Sequence, residues 1–380
     1  MRTATFLNPG KLVFGPDAYA TMKQDLIAAG HEAVFVISIE PLQKEMQQLG
    51  ADLRAAGIRC EFDFSIVNEP TFAEFEALLE RLRMFAADCV AGIGGGSVMD
   101  VAKLLAAQMK NTQTTDEIVG IGNLAERQTP MICVPTTSGT GSEVSPNALF
   151  TSDSGAKVGV ISPFLVPDAA YICPELTVSV PPSVTAATGI DALTHCLEAI
   201  ANNFAHPMAD VIALEGIRLI GASLVAACED GRNIDARTDV ALGSVYGGMC
   251  LGPVNTGAVH ALAYPLGTEF HVPHGLSNAL LLPYVMEFNL PSAVPQYARV
   301  ATALGAAAGV DDEETAKRGI AIIRQLIADC KIPSRLSEID IPLDAIDSLA
   351  EGALKVQRLL RNNLREVTLD DAKAIYRAAL

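Results

Sequence analysis

Several residue types are scarce in this chain of 380 residues. It has no tryptophan, aromatic residues make up only 5%, and 27 basic residues face 44 acidic ones. The net charge of −17 opposes binding to nucleic acid and to anionic membrane surfaces. No apolar run is expected to span a bilayer, and the first ten residues do not resemble a signal peptide. We therefore expect a soluble, cytoplasmic protein that binds neither nucleic acid nor membrane.

A disulfide framework is also missing. Eight cysteines are scattered without C-x-x-C spacing, and most stand in apolar runs, as Cys89 and Cys133 do. This pattern is typical of buried thiols in a reducing compartment. Half of the residues are hydrophobic, and a chain of this length with that composition predicts two domains with sizeable cores.

The first half of the chain alternates strand and helix signals. Continuous apolar runs predict strands buried on both faces, at residues 33–38, 58–64, 89–93 and 131–135. Amphipathic segments between them predict helices at residues 20–29, 42–56 and 71–87. Such alternation predicts a parallel sheet, and hence an α/β Rossmann-like domain over residues 1–182.

The second half has a different pattern. After Pro181 and Pro182 the β signals nearly vanish. Helices are predicted at residues 183–201, 207–228, 235–250, 255–264, 275–290, 294–308, 312–329, 342–355 and 369–379. We therefore expect an all-α domain over residues 183–380.

Two polar loops follow predicted strands of the first domain. Residues 94–97 read Gly-Gly-Gly-Ser, and there Ser97 is expected to cap the next helix with Asp100 in a capping-box position. Residues 136–143 alternate small hydroxyl residues with glycine. Loops at the carboxyl ends of parallel strands bind ligands, and a helix N-terminus favours phosphate. Each loop alone is also compatible with a structural turn. Lys157 is a candidate cation near the same site, and a solvated hairpin lysine is the alternative.

Three of the six histidines stand near one aspartate. Asp191 and His195 are four residues apart in a predicted helix, so their side chains share a face, and His260 and His274 follow. A carboxylate and three imidazoles are suitable ligands for a divalent metal ion. Taken singly, these residues would also be compatible with ordinary core positions.

Four segments carry a resemblance to a known family. Residues 94–103 (GGGSVMDVAK), 135–144 (PTTSGTGSEV), 189–195 (GIDALTH) and 260–275 (HALAYPLG…PHG) closely resemble the iron-containing (group III) alcohol dehydrogenases, in order and spacing. The resemblance covers nearly the whole chain. It implies the dehydroquinate synthase-like fold of that family, with an N-terminal dinucleotide domain, a C-terminal helical domain and a cleft between them.

The resemblance also implies cofactors and roles. Metal ligands would be Asp191, His195, His260 and His274, holding Fe(II), with zinc as the alternative. Contacts to NAD, or NADP, would come from Asn68, Gly95, Gly96, Ser97, Asp100, Thr136, Thr137, Ser142, Val144, Lys157 and Leu176. Hydride would pass between nicotinamide and a metal-bound alcohol or aldehyde. Relatives are commonly dimers or larger, so a homodimer or larger homo-oligomer is expected.

Three positions depart from the family pattern. Tyr264 replaces a histidine that many relatives use to relay the proton, so the proton leaves through Tyr264, through water or through His271, which is otherwise a surface residue. Ile39, followed by Glu40, replaces an aspartate found in NAD-preferring relatives. Glu40 favours NAD, because its carboxylate could bind the ribose hydroxyls and repel a 2′-phosphate. Alternatively, without the aspartate the site could accept NADP.

The third departure is at the C-terminal Gly-Asn-Pro-Arg motif of the family, which here reads Asn-Asn-Leu-Arg at residues 362–365, after Arg358 and Arg361. A cation there would suit a carboxylate- or phosphonate-bearing aldehyde, and the alternative is a pair of solvated arginines. The competing functions are therefore a reductase for an acidic carbonyl such as maleylacetate and a non-catalytic metal or nucleotide sensor.

Overall fold

The chain folds into two compact units. The computed structural model describes residues 2–67, 70–151 and 157–380. The sheet unit comprises Leu7–Thr137 and Ser142–Thr177, and the helical unit comprises Met1–Phe6, Ser138–Gly141 and Val178–Leu380. The α/β and all-α character predicted for the two halves is confirmed, while the division at residue 182 stays a prediction.

Nine strands lie within the described residues. They are β1 Lys11–Phe14, β2 Ala33–Ile37, β3 Arg59–Asp63, β4 Cys89–Gly94, β5 Gly120–Ile121, β6 Met131–Pro135, β7 Asn147–Thr151, β8 Lys157–Ile161 and β9 Ala169–Ile172. Six form a parallel sheet in the order β1-β9-β6-β4-β2-β3. The others form a small sheet in the order β5-β8-β7, with β7 and β8 antiparallel.

The helices of the sheet unit cover both faces of the large sheet. They are α1 Ala18–Ala28, α2 Gln43–Ala55, α3 Phe72–Phe85, α4 Gly96–Gln108 and α5 Thr115–Ile118. All five residues of β2 are buried. Phe35 and Ile37 join the core on one face, whereas Val34 and Val36 join the core on the other. This two-sided burial explains the continuous apolar run in the sequence.

The helical unit contains the remaining α-helices. They are α6 Pro182–Ile200, α7 Pro207–Glu229, α8 Ile234–Leu251, α9 Ala258–Phe270, α10 His274–Ala303, α11 Asp312–Asp329, α12 Ile346–Leu354, α13 Gln357–Leu360 and α14 Leu369–Ala379. Their apolar faces share one core. Helices were predicted at residues 275–290 and 294–308, and the non-helical backbone of Ala293 (φ −131°, ψ 16°) divides α10 between those two segments.

Helix α7 corrects one expectation from the sequence. By length and composition alone Pro207–Glu229 could cross a membrane, contrary to the expectation that no apolar run was long enough. Half of its apolar window is buried within the protein, and residues such as Ile217 and Leu224 belong to the core of the helical unit. A core helix of a soluble protein has the same composition, so the helix is weak support for a membrane role.

Candidate metal and nucleotide sites

Helix α6 supplies two of the predicted metal ligands. It begins at Pro182, where a proline is compatible with the first helical turn, and its second half is buried throughout. Asp191 and His195 lie one turn apart on the same face, and Glu198 follows on that face three residues later. The three side chains are thus held on a rigid, buried segment.

The other two predicted ligands reach the same point from neighbouring helices. His260 lies in the first turn of α9, and His274 is the first residue of α10. Oδ1 of Asp191 lies 3.9 Å from Nε2 of His195, 3.5 Å from Nε2 of His260 and 3.6 Å from Nε2 of His274. The structure therefore brings together all four residues that the sequence singled out.

Burial and charge set the protonation of these groups. Burial would raise the pKa of Asp191, but the neighbouring imidazoles outweigh it and hold that pKa below its ordinary value. Burial lowers the pKa of His195 to about 4, which keeps its ring neutral. Burial opposes the charged form of His260, yet Glu198 and Asp191 raise its pKa to about 10. A cation in the cluster would compete with that proton, because metal binding releases protons from its ligands.

Two residues that were not predicted from the sequence, Glu198 and Asn278, contact the four predicted ligands or their neighbours. Glu198 Oε2 lies 2.6 Å from His260 Nδ1, and Glu198 Oε1 accepts from the Val259 amide. Asn278 donates to Asp191 at 2.6 Å, and its Nδ2 lies 3.2 Å from His260 Nε2. Helical spacing alone would have found both, since Glu198 stands three residues after His195 and Asn278 four after His274.

The cluster fits a divalent ion on its donor set. A four-coordinate ion with ligands at about 2.1 Å requires neighbouring donors about 3.4 Å apart, and the distances from the Asp191 oxygen are close to that spacing. The Glu198 contact at Nδ1 leaves Nε2 of His260 directed at the cluster, as expected of a metal-bound histidine. Imidazole and carboxylate ligands suit iron and zinc alike.

The two predicted proton-transfer residues differ in their surroundings. The ring of Tyr264 lies 6.0 Å from the ring of His274, and its hydroxyl accepts a hydrogen bond of 2.9 Å from Arg358. His271 is exposed and ends α9 with a left-handed backbone. Among the described residues, no hydrogen bond or ring contact joins His271 to the metal cluster. The structure brings Tyr264, and not His271, close to the predicted metal ligands.

The glycine-rich loop of the sheet unit joins β4 to α4. Gly95 is the N-cap residue, no side chain caps the helix, and Ser97 lies inside its first turn, so the predicted capping by Ser97 is wrong. A side chain at Gly95 would meet Thr137 only at 3.6 Å, so packing within the chain does not require a glycine there. An uncapped helix N-terminus behind an open glycine, with Gly96 as the first helical residue, is suited to a phosphate group.

Asp100 is hydrogen-bonded to the second loop, which follows β6, and to the strand after it. It is buried, and it accepts hydrogen bonds from the Ser142 hydroxyl and from the Leu149 amide. Lys103 is fully buried one turn later and donates to the carbonyls of Ser142, Ser145 and Asn147. These bonds fix the path of the second loop relative to α4.

The remaining predicted nucleotide contacts lie at or near the ends of β4 and β6, or on neighbouring segments. The Thr136 amide donates to Gly94, and its buried hydroxyl has no hydrogen-bond partner among the described residues, as expected of a group that awaits a ligand. Val144 is buried, Lys157 begins β8 and Leu176 is half-buried. The predicted contact Asn68 lies outside the described residues.

The chain matches known proteins along nearly its whole length. Residues 9–174 match the iron-containing alcohol dehydrogenase family, and residues 185–380 match the C-terminal part of the same family. Long-chain-alcohol dehydrogenase 1 of Geobacillus thermodenitrificans is 38% identical over 88% of this chain and 85% of its own length.

Solved structures agree with this match. The crystal structure of 1,3-propanediol oxidoreductase has a TM-score of 0.96 and 30% identity, with both chains covered completely. That of sulfoacetaldehyde reductase from Bifidobacterium kashiwanohense, in complex with NAD+, has a TM-score of 0.89 and 25% identity over 100% of this chain and 99% of that one. With its fold, its four converging predicted ligands and its two strand-end loops, the chain belongs to the iron-containing alcohol dehydrogenase family.

Proposed function

We propose that this protein is a metal-dependent, NAD-linked alcohol dehydrogenase that also reduces aldehydes. The observation that carries the proposal is the convergence of the Asp191 carboxylate with the Nε2 atoms of His195, His260 and His274. When bound, a divalent ion there supplies Lewis acidity to the substrate oxygen, and nicotinamide exchanges the hydride. Relatives named as alcohol dehydrogenases and aldehyde reductases support the same reaction class.

The chain's own residues hold and orient these groups. Asp191, His195, His260 and His274 would bind the ion, with Glu198 and Asn278 orienting them. The amides at the start of α4, together with the loops at residues 94–97 and 136–144, would bind the dinucleotide. Glu40, exposed after β2, favours NAD because its carboxylate would repel a 2′-phosphate.

Tyr264 is our candidate for transferring the proton of the substrate's hydroxyl group. Its hydroxyl accepts from Arg358 and keeps its own O–H free to donate. Tyr264→Phe removes that group with little change in volume. We expect a roughly 10- to 100-fold lower kcat and an altered pH profile of kcat, as is typical when a proton-transfer group is lost. An unchanged rate and pH profile would assign the proton to water or to His271.

Two further properties are part of the proposal. All eight cysteines are free thiols and seven are buried, which supports a reducing, cytoplasmic location. We also propose a homodimer or a larger homo-oligomer, which light scattering of the purified protein would measure.

Metal analysis of anaerobically purified protein, paired with NADH and NADPH oxidation against a panel of aldehydes, tests the function. We expect one ion per chain and turnover that prefers NADH. An ion without turnover of any aldehyde would favour a non-catalytic metal or nucleotide sensor. Turnover at full rate without an ion would refute the metal site.

A further inference from the structure

Tyr264 contacts two very different groups. One is His274, a proposed metal ligand, whose ring lies 6.0 Å from the tyrosine ring. The other is Arg358 of α13, which donates to the tyrosine hydroxyl at 2.9 Å and lies 5.7 Å from the ring centroid. The guanidinium is therefore held one tyrosine ring away from the metal cluster, by a residue 94 positions earlier in the chain.

Within the part of the chain that the structure describes, most of the hydrogen-bonding capacity of Arg358 is unused. A guanidinium has five N–H donors, and the contact with Tyr264 uses one of them. The side chain is half-buried, and among the described residues no carboxylate lies within 4.0 Å of it. By contrast Arg81, Arg127 and Arg218 each pair with a carboxylate. What distinguishes Arg358 is that its half-buried guanidinium is held against Tyr264, beside the predicted metal ligand His274.

We propose that Arg358 binds an anionic group at the far end of the substrate, so that the enzyme prefers aldehydes bearing a carboxylate or sulfonate. This inference rests on the proposed function, because it places the substrate's carbonyl at the metal cluster. Planar guanidinium donors match the two oxygens of such an anion, and the bond is charge-assisted. Tyr264 fixes the guanidinium in position, which lowers the entropy lost when the anion binds.

A purely supporting role for Arg358 is the competing explanation. In that case the guanidinium would only hold Tyr264 in place, and its loss would lower kcat/KM for the reduction of every aldehyde by the same factor. An anion-binding role instead predicts a change in the preference between charged and uncharged substrates. The ratio of two kcat/KM values separates the explanations, because any general effect on Tyr264 or on the metal cancels from it.

The experiment compares succinic semialdehyde with butanal, which has the same number of carbons and no charge. Both are reduced with NADH by the metal-loaded enzyme and by Arg358→Gln. We expect the wild-type enzyme to favour succinic semialdehyde and the variant to lose that preference by about 10- to 100-fold, as for one charge-assisted pair. Arg358→Lys, which keeps the charge without the planar donors, should restore part of the preference. Arg361→Gln, on an exposed arginine three residues later, is the matched control and should keep the wild-type ratio.

The outcomes distinguish the inference from the function on which it rests. If Arg358→Gln slows both aldehydes equally, or if the wild type prefers butanal, the anion-binding role is wrong while the alcohol dehydrogenase function stands. If the metal-loaded wild type reduces neither these two aldehydes nor any other, the proposed function fails and the substrate preference fails with it.

Discussion

Glu198 sets the protonation state of a proposed metal ligand without occupying a ligand position itself. Its carboxylate lies 2.6 Å from Nδ1 of His260 and also accepts from the Val259 amide. This contact holds the ring with Nε2 toward the cluster and makes Nε2 more basic, and so a stronger ligand for a metal ion. The charge of Glu198, and not only its shape, is therefore expected to contribute to metal affinity.

Glu198→Gln tests this contribution, because glutamine keeps the size and one oxygen acceptor but removes the charge. We expect metal affinity to fall by about 10- to 100-fold, measured by competition with a chromogenic chelator. Glu229→Gln, at the exposed end of α7, is the matched control and should leave the affinity unchanged. Equal affinities of wild type and Glu198→Gln would show that hydrogen bonding alone orients His260.

The proximity of two side chains was predictable where both lie on one face of the same helix. Asp191 and His195 lie on one face because they are four residues apart, and that spacing extends to Glu198. The contact between Tyr264 and Arg358 has no such local signal. It depends on how α9 and α13 pack, and no periodicity within either helix specifies the partner.

The loop after β6 contains a buried acid whose ionisation opposes folding. Burial raises the pKa of Glu143 to about 7, partly offset by the nearby Lys103. The folded state therefore keeps the proton in a pH range where the unfolded chain, with a pKa near 4.5, has lost it. Since the folded state binds more protons in that range, the free energy of unfolding contributed by this group falls as pH rises from about 4.5 to 7.

Glu143→Gln is expected to remove this pH dependence. Above pH 7 the variant should be more stable than wild type by up to about 3 kcal/mol, the limit that the pKa difference sets. Urea denaturation at several pH values between 5 and 8 measures it. If the free energy of unfolding changes by the same amount in wild type and variant across that range, the pKa of Glu143 is not raised by folding.

The short segment at residues 138–141 meets helix α8 at one very close approach. Gly141 has a φ of +61°, and a Cβ built there would lie 2.3 Å from the Cα of Gly248. Both the backbone angle and the distance exclude a side chain, because two backbones cannot separate as a flexible side chain can. The glycine at 141 thus fixes how this segment packs within the helical unit.

Gly141→Ala should cost at least about 2 kcal/mol of stability, since strain and overlap act together. Gly305 is the matched control, because its φ is +83° but a Cβ added there would have no atom within 4 Å. Gly305→Ala should cost only about 1 kcal/mol. Thermal or chemical unfolding of the two variants measures the difference, and equal losses would mean that the close approach to Gly248 relaxes freely.

Elements were predicted well where their pattern was strong and poorly where proline interrupted it. The sequence predicts a helix at residues 255–264, ending before Pro265, whereas α9 continues to Phe270 with Pro265 inside it. Proline normally ends a helix because it lacks the N–H and crowds the preceding turn. Here the buried Leu262 and Leu266 on either side of it belong to the shared core, so packing outweighs the local cost.

At the scale of the whole molecule, the two proposed sites draw on separate compact units. All four proposed metal ligands belong to the helical unit, whereas Gly95, Thr136 and the rest of the two strand-end loops belong to the sheet unit, except for residues 138–141. Alternating strand and helix signals followed by helices alone predicted this general division. The assignment of residues 138–141 to the helical unit was not predictable, since it depends on tertiary contacts such as that of Gly141 with Gly248.

Hydrogen exchange should show the two sites as separate regions of protection. A ligand present at 100 times its dissociation constant stabilises the form that binds it by about 2.7 kcal/mol, so exchange through local opening slows by up to about 100-fold. We expect Zn²⁺ alone to protect peptides from α6, α9 and the start of α10. NADH alone should protect peptides covering residues 94–108 and 135–144. The metal-site variant Asp191→Asn should lose the first pattern and keep the second, because the dinucleotide residues do not depend on that carboxylate. Loss of both patterns in Asp191→Asn would mean that this carboxylate also supports dinucleotide binding by the sheet unit, and the assignment of one ligand to each unit would then be wrong.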